Sequence, residues 1–101
     1  MTPFQSQCYE ALKKIPPGKV ISYGGLASMI GRPLAHRAVG NAMNKNPFAP
    51  KVPCHRVIKS NGDLGGFADD IHLKIKRLHE EGVEVANNRI VNFQSVLFKA
   101  P

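Results

Sequence analysis

A mainly α-helical domain with small β elements, built around a helix-turn-helix, is what these 101 residues predict, and three observations lead there. Apolar residues recur at helical spacing in four separate segments. Glycine and proline punctuate the gaps between those segments. Only two short stretches carry the β-branched content or alternation of strands. With 43 % hydrophobic residues the chain can build one modest core, and at this length it has no room for two, so a single domain over residues 1–101 is expected.

Phe4, Cys8, Ala11, Leu12 and Ile15 form the first stripe, which Pro16-Pro17-Gly18 terminates. Cys8 lies on that stripe and reads as a small buried hydrophobe. Ser22 is placed to cap a short second helix through Leu26, Ala27 and Ile30, with Gly31 beyond its end, where a left-handed residue is favoured. After a turn at Pro33, residues 34–44 predict a third helix with Val39 and Met43 facing inward, while Ala35, Ala38 and Ala42 keep much of its surface thin. The two helices and their Gly/Pro turn make the helix-turn-helix, the second helix being the candidate reader of a duplex.

Pro47, Pro50 and Pro53 remove backbone donors and bias the residues before them toward extended conformations, so the approach to Cys54 is not a regular helix. Val57-Ile58 predicts a short strand entering a tight turn at Ser60-Asn61-Gly62-Asp63. Asp69 or Asp70 is placed to cap a fourth helix carrying Ile71, Ile75 and Leu78, with Gly82 past its end. Val83 and Val85, the turn residues Asn87-Asn88, and then Ile90, Val91 and Phe93 predict a C-terminal hairpin.

The net charge of +7 is unevenly placed. Residues 1–62 hold nine Lys and Arg against one acid, Glu10, while residues 63–101 hold five against six. A phosphate-facing surface is therefore sought in the first two thirds, with ordinary solubilising charge as the alternative. No apolar run approaches the roughly 20 residues of a membrane helix, and no signal region stands at the N-terminus. Two cysteines are too few for a secreted disulfide framework, so a reducing compartment is expected: cytoplasm, on the nucleoid, or a nucleus.

Cys54 sits beside an imidazole and a guanidinium in Val52-Pro53-Cys54-His55-Arg56-Val57-Ile58, neighbours that can favour thiolate over thiol. Adjacency in sequence alone leaves a reactive and a merely buried cysteine equally open. His36, His72 and His79 show no zinc-site spacing, so no metal is expected. No resolving cysteine supports a redox role.

The ordered set Gly18-Lys19-Val20-Ile21-Ser22-Tyr23, Arg37-Ala38-Val39-Gly40-Asn41-Ala42-Met43, Asn46-Pro47, Pro53-Cys54-His55-Arg56-Val57-Ile58, Leu64-Gly65-Gly66-Phe67 and Glu81-Gly82 resembles the DNA-binding catalytic domain of the O6-alkylguanine-DNA alkyltransferases. The resemblance covers about residues 4–82 and implies a winged helix-turn-helix-like DNA-binding domain, here without the family's N-terminal domain. It implies direct, single-turnover repair in which Cys54 takes the alkyl group from a flipped O6-alkylguanine, with no cofactor. In that reading His55 helps deprotonate Cys54 through a water and Glu81 orients and charges the imidazole. Arg37 resembles the finger that fills the gap left by the flipped base, from a helix whose alanines permit close approach to the minor groove or merely favour helix. Tyr23 resembles the tyrosine that meets the rotated phosphate and donates to N3 of the guanine, its plainer reading being a half-buried aromatic. Asn46 resembles a hinge between the recognition helix and the acceptor loop. Val57 offers backbone contact to the base, and Phe67 and Ala68 fall where the guanine pocket is lined.

Two departures from the family pattern stand out. Phe67 replaces a common tyrosine, and Ala68-Asp69-Asp70 replaces a small, often serine- and glycine-containing run, so the two acids either cap the following helix or slow association with DNA. In length and in its Gly82-Val83-Glu84-Val85 tail the chain is also similar to the alkyltransferase-like proteins, which bind alkylated DNA without repairing it and recruit excision-repair proteins. Those proteins commonly replace the acceptor cysteine, whereas Cys54 is kept here. The partner expected is double-stranded DNA containing O6-alkylguanine, bound by a monomer, with an unrelated winged-helix transcription regulator as a third reading.

Overall fold

A computed structural model describes residues 1–65 and 71–99. Helix α1 (Pro3–Leu12) opens on a capping box in which the Thr2 hydroxyl accepts from the Gln5 backbone and the Gln5 side chain accepts from the Thr2 backbone. Its buried face holds Cys8, Tyr9, Ala11 and Leu12, with Ile15 buried just beyond. Tyr9 is the addition to the predicted stripe. Its phenol lies 4 % exposed because the hydroxyl reaches the Ala42 carbonyl at 2.8 Å, which satisfies the one polar atom a buried tyrosine carries.

Strand β1 (Ile21–Ser22) leads directly into α2 (Tyr23–Met29), whose N-cap is Ser22 as predicted, its hydroxyl accepting from the Gly25 backbone. Gly31 adopts φ +75 after that helix, and the chain turns into α3 (His36–Asn44), which buries Val39, Ala42 and Met43. The helix-turn-helix is therefore present. One detail of its surface is corrected: Ala42 is 2 % exposed and belongs to the core, and Ala35 is half-buried against it. Among the three alanines only Ala38 lies on the exposed side.

The proline-rich approach runs without regular structure to a single 3-10 turn at Cys54–Arg56, followed by strand β2 (Val57–Ile58). β2 pairs in parallel with β1, Ile21 opposite Val57 and Ser22 opposite Ile58. Because successive strand residues face opposite sides, Val57 packs into a core formed with α1, α2 and α3, while Ile58 packs with Val20, Leu64, Leu78, Val83 and Ile90. This two-residue strand joins two apolar clusters, and the Cys54 turn is fixed at their seam.

Helix α4 (Ile71–Glu80) follows, with Gly82 at φ +85 past its end. The proposed caps Asp69 and Asp70 lie outside the described residues, as do Phe67 and Ala68. The predicted hairpin forms from β3 (Val85–Ala86) and β4 (Arg89–Ile90) in antiparallel register, joined by Asn87 and Asn88 at φ +53 and +60, the two left-handed residues that a type I′ turn requires. Phe93 does not extend the hairpin. It begins a short helix, α5 (Phe93–Val96), after which the chain returns beside Val20, whose amide donates to Val96 at 2.9 Å and whose carbonyl accepts from Phe98 at 2.7 Å. No helix among the described residues is long and apolar enough to cross a membrane.

Candidate active site

Cys54 is 6 % exposed at the start of its 3-10 turn, and its amide donates to the Val52 carbonyl at 2.9 Å. The same Val52 carbonyl accepts from Asn46 Nδ2 at 2.8 Å, while Asn46 Oδ1 accepts from the Phe48 amide at 2.9 Å. One amide side chain thus ties the residues just after α3 to the loop that carries Cys54.

His55 is 2 % exposed, and its Nε2 lies 2.9 Å from Glu81 Oε2. Glu81 stands just past α4, so the contact joins two distant parts of the chain. Burial alone would raise the Glu81 carboxyl, but hydrogen bonds from Arg56 and His55 outweigh it and hold the group below the usual carboxylate range. A carboxylate can only accept, so Nε2 carries the proton and Nδ1 presents the lone pair. Nδ1 is buried and takes no hydrogen bond among the described residues. Burial pushes the imidazole's own pKa down, against the pull of Glu81, which leaves a neutral base backed by an anion.

Arg56 was read from sequence as a cation near the thiol. It faces the other way: Nε donates to Glu81 Oε1 at 2.9 Å, Nη2 reaches Glu81 Oε2, and Nη1 donates to the Ile15 carbonyl at 2.7 Å. Its charge is spent inside the fold. Along α3 and the loops around it and the acceptor turn, Arg32, Arg37, Lys45, Lys51 and Lys59 are exposed cations. Arg37 stands in the first turn of α3 with no side-chain ion pair among the described residues, so its guanidinium is free to project.

Tyr23, half-buried at the start of α2, is flanked by two glycines: a Cβ at Gly40 would meet its ring at 4.0 Å and one at Gly65 at 3.6 Å. Burial raises its phenol pKa and the nearby Cys54 adds to the effect, so the hydroxyl stays protonated and able to donate. The ring borders a cleft of about 540 Å³ lined also by Gly24, His36, Gly40, Lys59, Ser60 and Asn61. The structure therefore brings α3, the Tyr23 ring and the turn after β2 around one opening. Val57 is fully buried; its amide donates to the Cys54 carbonyl and its carbonyl accepts from Lys74 Nζ at 2.7 Å, so a base would have only the carbonyl's second lone pair. No metal-binding cluster occurs among the described residues.

Lys74 was missed by sequence reasoning. It is 1 % exposed on α4, its Nζ donating to the carbonyls of Val57 and of Leu64, the latter at 2.9 Å. The signal was available: Ile71, Lys74, Ile75 and Leu78 complete an i, i+3, i+4, i+7 stripe with a lysine inside it.

Residues 3–83 match the family model described as 6-O-methylguanine DNA methyltransferase, DNA binding domain. The methylated-DNA–protein-cysteine methyltransferase of Salmonella typhimurium is 51 % identical over 81 residues, 80 % of this chain and 47 % of that protein, so the chain spans about half the length of such relatives. In structure it is similar to the Mycobacterium tuberculosis OGT in complex with DNA, at TM-score 0.78 and 47 % identity over 80 % of this chain and 50 % of that one. It is also similar to S. pombe Atl1 in complex with damaged DNA containing O6-carboxymethylguanine, at TM-score 0.87 and 35 % identity over 99 % of this chain and 98 % of that one. With the match running from α1 through Val83 and so across every element that holds the Cys54 site, the chain belongs to the 6-O-methylguanine DNA methyltransferase family, in its DNA-binding domain.

Proposed function

We propose that this protein repairs duplex DNA by accepting the alkyl group of a flipped O6-alkylguanine on Cys54, once per molecule. The observation that carries the reading is a neutral His55, directly after Cys54 in the chain, whose Nε2 is hydrogen-bonded to Glu81 while its buried Nδ1 takes no hydrogen bond among the described residues. In the transfer, the thiol proton passes to His55 Nδ1 through a bridging water, and Glu81 stabilises the imidazolium. Sulfur forms a bond to the alkyl carbon as the carbon–O6 bond breaks. The electron pair of that bond stays on the guanine, which takes up one proton at a ring nitrogen, with Tyr23 positioned to donate to N3. A thioether has no route back to thiol here, so the protein is consumed. Arg37 enters the stack from α3 along the minor groove, Asn46 couples α3 to the acceptor loop, and a monomer works on the DNA of the nucleoid or nucleus. The Phe67 and Ala68 contacts to the base remain part of this proposal.

Incubation with a duplex containing O6-methylguanine is expected to add one methyl to the Cys54 peptide by mass. Binding without that gain would overturn the enzymatic reading. It would support a second one, a damage sensor that recruits excision-repair proteins, which the end-to-end similarity to Atl1 favours. Arg37→Ala is expected to slow transfer from duplex DNA at least tenfold more than transfer from free O6-alkylguanine, since only the duplex needs a surrogate for the lost base. Equal losses would remove the finger assignment.

A further inference from the structure

The turn that follows β2 is fixed from within and from outside. Within it, the Lys59 amide donates to the Asp63 carbonyl at 2.9 Å and the Lys59 carbonyl accepts from the Gly62 amide at 3.0 Å. From outside, Arg89 on β4 donates to the Asn61 carbonyl at 2.7 Å and pairs with Asp63 Oδ1 at 3.0 Å, while Asp63 Oδ2 accepts from Asn61 Nδ2 at 3.2 Å. The acid of the turn is therefore committed to Arg89 and Asn61. Lys59 is exposed, and its side chain makes no ion pair or hydrogen bond among the described residues.

A glycine sets where that lysine lies. A Cβ at Gly65 would stand 3.4 Å from Lys59 Cγ, 3.6 Å from Lys59 Cε and 3.6 Å from Cε2 of the Tyr23 ring. The stem thus runs over bare backbone and meets the ring at this glycine. Both side chains line the cleft that His36 and Gly40 of α3 border. An ammonium laid along a glycine at the rim of a cleft, with no counter-charge from its own chain, is matched by an anion from outside. We propose that Lys59 binds a backbone phosphate flanking the extruded nucleotide, from the wall of the cleft that the turn builds. The inference rests on the proposed entry of that nucleotide past Tyr23: the base goes inward, and its charged phosphates stay at the wet rim. A lysine suits this place, since three rotatable donors on a point charge hold a phosphate without the fixed fork that arginine imposes.

The test is a binding cycle between lysine and phosphate, using the full chain and a duplex with one O6-methylguanine. In Lys59→Met, which keeps the stem over Gly65, affinity is expected to fall about tenfold and the slope of log K against log salt to become shallower by about 0.9. Lys59→Arg, which keeps the charge, is expected to stay within about threefold of wild type, and a loss equal to that of Lys59→Met overturns the contact. Neutral methylphosphonates then replace, one at a time, the two phosphates flanking the lesion. At one of them wild type is expected to lose about tenfold and Lys59→Met less than about threefold, because the contact is already gone. Equal losses in both proteins at both positions overturn the proposal and leave Lys59 in the general positive field of the surface. Mass measurement of the Cys54 peptide runs in parallel. Wild type that accepts no methyl from this duplex defeats the repair reading, while the binding cycle, which needs no transfer, still decides the role of Lys59.

Discussion

At Glu81 a single carboxylate holds both a neutral imidazole and a guanidinium. In the proposed transfer His55 needs it when the imidazole takes a proton, whereas Arg56 needs it at all times, since that guanidinium side chain is only 12 % exposed. The two duties separate by mutation. Glu81→Gln is expected to slow methyl transfer about 100-fold, because the imidazolium loses its counter-charge, and this is read from single-turnover kinetics on O6-methylguanine duplex. Arg56→Met is expected to act chiefly on stability, costing about 3 kcal/mol in urea unfolding as a buried ion pair is broken. A Glu81→Gln protein that transfers at the wild-type rate would remove Glu81 from the relay. Sequence adjacency misled here: Arg56 follows His55 directly, yet the 3-10 turn sends the guanidinium to Ile15 and Glu81 and away from a role as activator of the thiol.

Among the elements, the turn after β2 links the acceptor loop to the C-terminal hairpin. Gly62 adopts φ +92, a Cβ there would meet the Phe93 ring at 3.3 Å, and its carbonyl accepts from the Ile90 amide at 2.9 Å. Gly62→Ala is therefore expected to cost about 2 kcal/mol, from left-handed backbone and from displacement of α5. Hydrogen exchange at the Ile90 amide should quicken in step, and unaltered protection there would show that α5 docks independently of this turn. These same elements show what a sequence can reveal. Helices α1, α2 and α4 and the hairpin turn were legible because period, cap and turn residues are local signals, and Ser22, Gly31 and Asn87-Asn88 act as predicted. Strand β1 was not, for two residues become a strand only through a distant parallel partner. Helix α5, four residues long, is too short for a period to register. The contact between His55 and the distant Glu81 was legible only from the family pattern, whereas Lys74 lay in plain sight on an apolar stripe and was passed over because lysine is assumed to face water.

For the whole molecule, the buried ionisable groups determine how stability varies with pH, and on the acid side they act together. Glu81 is held below its usual value, so the stability it contributes is complete above its unfolded pKa and is lost as pH falls toward the folded one. His55 is also lowered, so the unfolded chain takes up its proton first and stability declines below about pH 6.5. On the alkaline side the groups oppose each other. Lys74, lowered from 10.5 to about 8, gives up its proton in the fold before the unfolded chain does, so its contribution rises with pH between those values. Cys8, Tyr9 and Tyr23 are raised by burial and pull stability the other way as the unfolded chain ionises them first. Comparison of wild type with Lys74→Met cancels what the two proteins share. The difference in unfolding free energy, wild type minus variant, is expected to grow by up to about 3 kcal/mol in favour of wild type between pH 8 and 10.5, measured by urea unfolding. A difference that stays flat across that range would mean that the Lys74 ammonium sits in an environment as accommodating as water, and that the fold bears no electrostatic cost for burying it between the Val57 and Leu64 carbonyls.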